Sequence, residues 1–383
     1  MKVIIIGPAW PLRGGLASFD QRLCHSFMEE EHSCSIYSFS LQYPGFLFPG
    51  TTQYSSDPEP VDLEIHSVIN SVNPLNWLVV GNRLKKEQPD MIVVRYWLPF
   101  LGAALGTILR IVRKNRKTKI IAITDNVSPH EKRLGDSNLT SYFLKSCDAF
   151  ITMSEAVMND LRRFEKIKPA RQVIHPLYDN FGEIISKKMA RNVLNEKYNL
   201  DMAEKERIIL FFGFIRKYKG LDILLKAMAE PIIKSSGIRL LIAGEYYEDR
   251  NQYLNLIEEL KIRSQLILKT DFIPDSEVRY YLCAADAVIQ PYRNATQSGV
   301  TPLAYHFEKP MIVSNVGSFP EQVLHEKTGL VSEPESGAFS RAILRFYELG
   351  EEYFIPHLRA EKIKYSWKNL VNTLLELSHD IQK

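Results

Sequence analysis

Residues 290–321, QPYRNATQSGVTPLAYHFEKPMIVSNVGSFPE, join an apolar lead-in, a turn of small residues and a helix start. Residues 287–291 (AVIQP) predict a buried strand, 296–299 (TQSG) a turn, and 300–307 a helix. The first N–H groups of a helix have no intrahelical acceptor and sit at the positive end of its dipole. Thr296, Gln297, Ser298, Gly299 and Val300 are therefore placed to face an anion such as a phosphate through the backbone. Strand, turn and helix recur in every α/β protein, so the same turn also reads as a plain connection.

A second segment about eighty residues earlier sharpens the expectation. In IILFFGFIRKYKGLDILLKAM (208–228) an apolar strand ends at Gly213 and leads into Arg216, Lys217 and Lys219. Lys219 and Gly220 open a helix whose apolar positions Leu221, Leu224, Leu225 and Met228 fall at helical spacing. Cations at a helix N-terminus oppose the macrodipole, and an anion held between them removes the conflict. Arg216 and Lys219 are the expected anion ligands; Lys217 reads as a solvated basic residue.

Around these segments, apolar strands alternate with helices at 3–6, 18–30, 34–39, 91–94, 101–113, 119–123 and 149–152. A second series restarts at 208 and continues through 240–243, 266–269, 287–290 and 311–313. Alternation of this kind predicts parallel sheets, and two series predict two domains. Between them lie His175-Pro176 and a polar helix near 184–197, taken as the linker region. In open α/β sheets ligands bind at the carboxyl ends of the strands. Gly14 and Gly15 follow the first strand, where a backbone without side chains either approaches a ligand or simply turns.

These pieces together resemble a family 4 retaining glycosyltransferase of the two-domain GT-B type. The resemblance is carried by MKVIIIGPAWPLRGGLASF, GFIRKYKGLDILLKA, LLIAGEYYED, DFIPDSEVRYYLCAADAVIQPY, EKPMIVSNVGSFPEQV followed by KTGLV, and SW before the last helix, in that order along nearly the whole chain. It implies an α/β fold of two Rossmann-like domains facing a central cleft. Residues 1–185 are then the acceptor-binding domain, 186–365 the nucleotide-sugar donor domain, and 366–383 a C-terminal helix crossing back toward the first domain. Within the resemblance Gly14 and Gly15 look like the loop near the donor diphosphate. Glu321 resembles the family's Pro-Glu dipeptide, although a charge at a helix N-terminus explains it as well.

The chain also departs from the family pattern. Such enzymes usually carry two glutamates separated by seven residues, and alignment on Lys309-Pro310 places Ala295 and Leu303 there. The family's His-Asp or His-Asn pair at a strand end appears as Asp125-Asn126, with His130 the nearest imidazole. Asp125 and His130 are the candidate acid/base residues, His130 reading equally as a solvent-exposed loop residue. The pattern is that of a divergent subgroup with a TQSG donor loop.

Composition is that of an ordinary globular protein: 45% hydrophobic and 24% charged residues, with a formal charge of +3 that is too small to suggest a nucleic-acid partner. Cys24, Cys34, Cys147 and Cys283 are scattered, which suits neither a zinc site nor a disulfide framework and predicts a reducing compartment. The first residues form a five-residue apolar strand rather than a signal peptide, so a cytoplasmic location is expected. No Asp-x-Asp occurs, and a metal-independent reaction without cofactor is expected. The expected partners are a nucleotide-sugar donor and a glycan or lipid-linked sugar acceptor, in cell-surface glycan or glycolipid synthesis. Two basic runs, Arg110 to Lys119 and Arg162 to Arg171, together with the apolar loop LQYPGFLFPG (41–50), suggest an anionic membrane surface as a further partner, or a solvated face and a self-packed loop. A sugar-nucleotide epimerase of the same fold and a catalytically silent binding protein are the alternative functions.

Overall fold

The computed structural model describes residues 1–45, 48, 50–127, 135–295 and 298–381. The chain divides into two compact units, Met1–Pro176 with Ser366–Lys383, and Leu177–Tyr365. The division falls at the expected His175-Pro176 linker, nine residues before the 185/186 boundary taken from the sequence.

The first unit holds a seven-stranded parallel sheet in the order β3-β2-β1-β4-β5-β6-β7. Its strands are β1 (Lys2–Ile6), β2 (Ser33–Leu41), β3 (Ile65–Asn70), β4 (Met91–Tyr96), β5 (Lys119–Thr124), β6 (Ala149–Thr152) and β7 (Ala170–Gln172). Its helices are α1 (Gly15–Glu29), α2 (Pro74–Glu87), α3 (Gly102–Val112), α4 (Asp136–Leu144) and α5 (Glu155–Phe164). The central strands carry long apolar runs because helices cover both faces: Val3, Ile4, Ile5 and Ile6 are all buried, as are Met91, Ile92, Val93 and Val94.

The second unit repeats the plan with a six-stranded sheet, β10-β9-β8-β11-β12-β13. Its strands are β8 (Ile208–Phe212), β9 (Arg239–Ala243), β10 (Leu266–Lys269), β11 (Ala287–Gln290), β12 (Met311–Ser314) and β13 (Gly329–Ser332). The helices are α6 (Lys187–Tyr198), α7 (Leu221–Ala229), α8 (Pro231–Ser235), α9 (Asn251–Leu260), α10 (Val278–Ala284), α11 (Val300–His306), α12 (Phe319–Gln322), α13 (Ser336–Leu349) and α14 (Glu351–Lys362).

The last helix, α15 (Trp367–Asp380), returns to the first unit, as expected. Ser366 caps it by accepting from the Asn369 N–H. Trp367 packs on Phe19 of α1 with ring centroids 4.8 Å apart, and Lys368 pairs with Glu30 at 2.9 Å. In each sheet the strand order reverses beside the first strand, between β1 and β4 and between β8 and β11. The crevice outside the carboxyl ends at such a reversal is where this topology binds ligands.

Candidate functional site

In the second unit the reversal point is built by the turns after β8 and β11. The chain leaves β8 at Gly213, bridges to the β9 exit through Ile215 (its N–H bonds the Glu245 carbonyl at 2.8 Å), and turns at Lys217–Lys219 before α7. Gly220 has a φ of 67°, and a Cβ there would sit 1.9 Å from the Pro291 carbonyl oxygen. Only glycine lets the α7 entrance lie on the β11 exit this closely. The Arg293 N–H then bonds the Tyr218 carbonyl at 2.7 Å and locks the two turns together.

This packing turns Lys219 inward. Its residue is only 9% exposed, and its Nζ lies 5.7 Å from the centre of the Tyr292 ring. A side chain at Gly213 would come within 3.1 Å of that Nζ, so the strand exit is shaped around the ammonium. Among the described residues no carboxylate pairs with Lys219. Burial, and then repulsion from Arg216, pushes its pKa down to about 7. Arg216 is half-buried in an extended conformation, its guanidinium 5.0 Å from the Tyr247 ring. The two expected anion ligands are thus brought together at the reversal point, and Lys217 is exposed as anticipated.

The donor-loop candidates Thr296 and Gln297 lie outside the described residues. Ser298 is buried, and its hydroxyl donates to the Gln290 side-chain oxygen at 2.7 Å while accepting the Val300 N–H at 3.2 Å. Val300 begins α11 with Gly299 as its cap. One first-turn amide is therefore satisfied internally, and Pro302 supplies none, so the turn offers an anion fewer N–H groups than its sequence suggests. Gln290 also bonds Thr301 at 3.3 Å and so ties the turn to the strand it leaves. The sequence reading missed Gln290; its signal is an amide ending the otherwise apolar strand AVIQ.

Ala295 and Leu303, the positions of the family's glutamates, are buried and apolar. Gly317, with φ 55°, would place a Cβ 1.6 Å from the Ala295 carbonyl, so the loop after β12 rests directly on the donor turn. Glu321 is exposed in the first turn of α12, which this loop enters.

The first unit has its own polar cluster at the β1/β4 reversal. Gly14 (φ 101°) caps α1 and Gly15 opens it, without a side-chain cap. Asp125, following β5, is buried, and both its oxygens accept from Arg95 at the end of β4, at 2.5 and 2.6 Å. Arg95 also lies 3.5 Å from Asp20 of α1 and stacks 3.8 Å from the Phe19 ring centre. Burial, with help from Asp125 and against Arg95, holds the Asp20 carboxyl well above the usual carboxylate range. His175 lies against Phe19, its Nδ1–H donating to the Pro176 carbonyl, and burial lowers its pKa to about 4. His130 lies outside the described residues. Arg95, Asp20 and His175 were not expected as a group; the charged ends of the apolar runs MIVVR and LASFD were the available signal. At the end of β4, Tyr96 stacks on Phe143 at 4.1 Å, and the Trp97 indole donates to Tyr43 at 2.6 Å.

Comparison with known proteins places this geometry in a class. Residues 194–363 match the family described as Glycosyl transferases group 1. An uncharacterized glycosyltransferase of Methanocaldococcus jannaschii is 23% identical, with 97% of this chain and 96% of that protein covered. A D-inositol 3-phosphate glycosyltransferase of Corynebacterium glutamicum is 24% identical over 66% of this chain and 62% of its own length. Among solved structures, sucrose-phosphate synthase from Thermosynechococcus elongatus superposes with a TM-score of 0.75 at 15% identity, covering 99% of both chains. Anabaena HepE in complex with UDP and glucose gives 0.70 at 13% identity, covering 98% of this chain and all of that one. The fold is GT-B, and residues 194–363 are similar to the group 1 glycosyl transferases.

Proposed function

We propose that the protein transfers a sugar from a nucleotide-sugar to a hydroxyl of a glycan or lipid-linked acceptor, with retention of configuration and without a metal ion. The observation that carries this is Lys219, a buried ammonium with no described carboxylate partner, set beside Arg216 at the reversal point of the second sheet. Departure of the nucleoside diphosphate concentrates negative charge on phosphate oxygens. Cations fixed in place before the reaction stabilise that charge more in the transition state than in the ground state. Arg216 supplies a planar fork and Lys219 a compact charge. The nucleotide class is supported by neighbours of the same fold that bind UDP with glucose, and ADP with acarbose.

Selection of the acceptor belongs to the first unit, where Gly14 and Gly15 lie after β1 and the Arg95–Asp125 pair fixes the exit of β5. Because Asp125 spends both oxygens on Arg95, we assign it a positioning role and leave acid/base work to His130. A catalytically silent nucleotide-binding protein is favoured by one observation, the apolar Ala295 and Leu303 in place of the glutamate pair. Within residues 162–171, Arg162 and Lys168 bond backbone carbonyls and Arg171 pairs with Glu376 and Asp380, while Arg163 and Lys166 are exposed. We place the enzyme at the cytoplasmic membrane surface through the other basic run.

A thermal-shift screen of nucleoside diphosphates and their sugars tests the donor site. A ligand at about 100 times its dissociation constant raises stability by about 2.7 kcal/mol. Release of nucleoside diphosphate in the presence of acceptor separates transfer from silent binding. No shift with any nucleotide overturns the proposal.

A further inference from the structure

The helix α2 carries its apolar residues on the wrong side for a core helix. Leu75 is 72% exposed, Val79 67%, Leu78 46%, and Val72 just before the helix 45%. Positions 75, 78 and 79 are neighbours on one helical face, so these side chains form a continuous stripe. Single exposed apolar residues are ordinary, but four within eight positions are not. The opposite face, Val80, Gly81 and Leu84, is buried and packs along α3 and the turn at Arg113–Asn115.

The charge around this stripe has one sign. Residues 65–86, which build β3 and all of α2 except its last residue, Glu87, contain no Asp or Glu, and neither do residues 91–124, which build β4, α3 and β5. Lys86 continues the exposed side of α2, and Lys114 and Arg116 are exposed at the end of α3. The nearest acids are occupied: Glu87, the last residue of α2, pairs with Lys2 and Arg83, and Asp90 with Lys117. Apolar side chains beside unopposed cations complement an interface that is hydrocarbon beneath and anionic above.

We propose that the outer face of α2, with Lys86, Lys114 and Arg116 beside it, is the surface that docks on an anionic lipid bilayer, Leu75, Leu78 and Val79 entering the headgroup region. Helix α2 begins where β3 ends and runs back to the start of β4, so Val72 and Leu75 lie toward the carboxyl edge of the first sheet, the edge that also carries Gly14, Gly15 and the Arg95–Asp125 pair, while Lys86, Lys114 and Arg116 lie toward the opposite edge, before β4 and β5. Docking through this face lays α2 along the bilayer, with its N-terminal, carboxyl-edge end carrying the apolar stripe and its C-terminal end the cations. The inference identifies the element behind the membrane association proposed above and depends on that association, not on the sugar chemistry. The 41–50 loop is not required: Tyr43 and Phe48 stack on each other at 6.3 Å, and Phe46 and Leu47 lie outside the described residues.

The test is co-sedimentation of the intact protein with vesicles of phosphatidylcholine alone and of phosphatidylcholine mixed with phosphatidylglycerol, at low and high salt. Binding to the anionic vesicles only, weakened by salt, is expected. Leu75→Ser combined with Val79→Ser should lower partitioning by about tenfold, and Lys86→Glu with Lys114→Glu by a similar factor. Both variants change exposed side chains, so melting temperature should hold. The melting response to UDP or ADP, measured without vesicles, should also hold, so failure of the donor site is read separately. Absence of salt-sensitive binding, or binding indifferent to the Leu75/Val79 pair, overturns the proposal. So does self-association in solution that Leu75→Ser abolishes, because a second copy then covers the face.

Discussion

Arg95 donates to both carboxylate oxygens of Asp125, Nε to Oδ2 at 2.5 Å and Nη2 to Oδ1 at 2.6 Å, with both residues almost completely buried. Removing one partner of such a pair leaves the other charged without compensation. Arg95→Met should therefore destabilise the first unit by about 3 to 5 kcal/mol, measured by urea unfolding. A loss below about 1 kcal/mol, the range of exposed ion pairs, would show that water reaches the pair.

Asp20 provides a prediction with a definite sign. Its folded pKa is raised well above 3.8, first by burial, so the folded state keeps a proton that the unfolded chain releases. The folded state is favoured fully below the unfolded pKa and progressively loses that advantage as pH rises toward the folded value. Asp20→Asn mimics the protonated acid and cannot titrate. Unfolding free energies measured from mildly acidic to neutral pH should fall with pH more steeply in the parent protein than in the variant. Parallel curves would contradict a protonated Asp20.

Lys219 makes nucleotide binding depend on pH. With its pKa at about 7, the ammonium is largely intact below pH 7 and increasingly neutral above it. A bound diphosphate favours the charged form, so binding above pH 7 takes up a proton and weakens as pH rises. Calorimetry in buffers of different ionisation heat should detect this uptake, and Lys219→Met should abolish it. Turnover in the same variant, or in Arg216→Ala, should fall by about 2 to 4 kcal/mol in barrier. Near-normal turnover in both would remove the pair from the mechanism.

The pattern of what the sequence revealed follows from burial. Strands 149–152, 208–212, 266–269 and 287–290 were expected with the bounds now seen for β6, β8, β10 and β11. The strands left unread, β3, β7 and β13, all lie at sheet edges; IHSVIN is largely half-buried and ARQ spans three residues. Helix α2 was missed because its apolar residues face outward, which spoils the periodicity that marks a core helix. Arg216 and Lys219 were legible because they stand three positions apart on one turn. The Arg95 cluster was not, because its partners are 30 and 75 positions away and only the sheet topology joins them.

Two glycines beside the donor turn should behave oppositely when changed to alanine. Gly317 has φ 55° and a virtual Cβ 1.6 Å from the Ala295 carbonyl oxygen, a backbone contact that no rotamer can relieve. Gly299 has φ −68°, and among the described residues the nearest atoms to a Cβ there belong to Tyr178, at 3.6 Å, an ordinary packing distance. A side chain at Gly299 is therefore compatible with the fold. Gly299→Ala should keep the parent melting temperature, whereas Gly317→Ala should lower it and move the loop from the turn. If α11 presents its N-terminal backbone to the diphosphate, Gly299→Ala should weaken nucleotide affinity with stability unchanged. Calorimetric titration of the two variants checks this; unchanged affinity in Gly299→Ala would leave Lys219 and Arg216, rather than the turn, as the diphosphate's principal contacts.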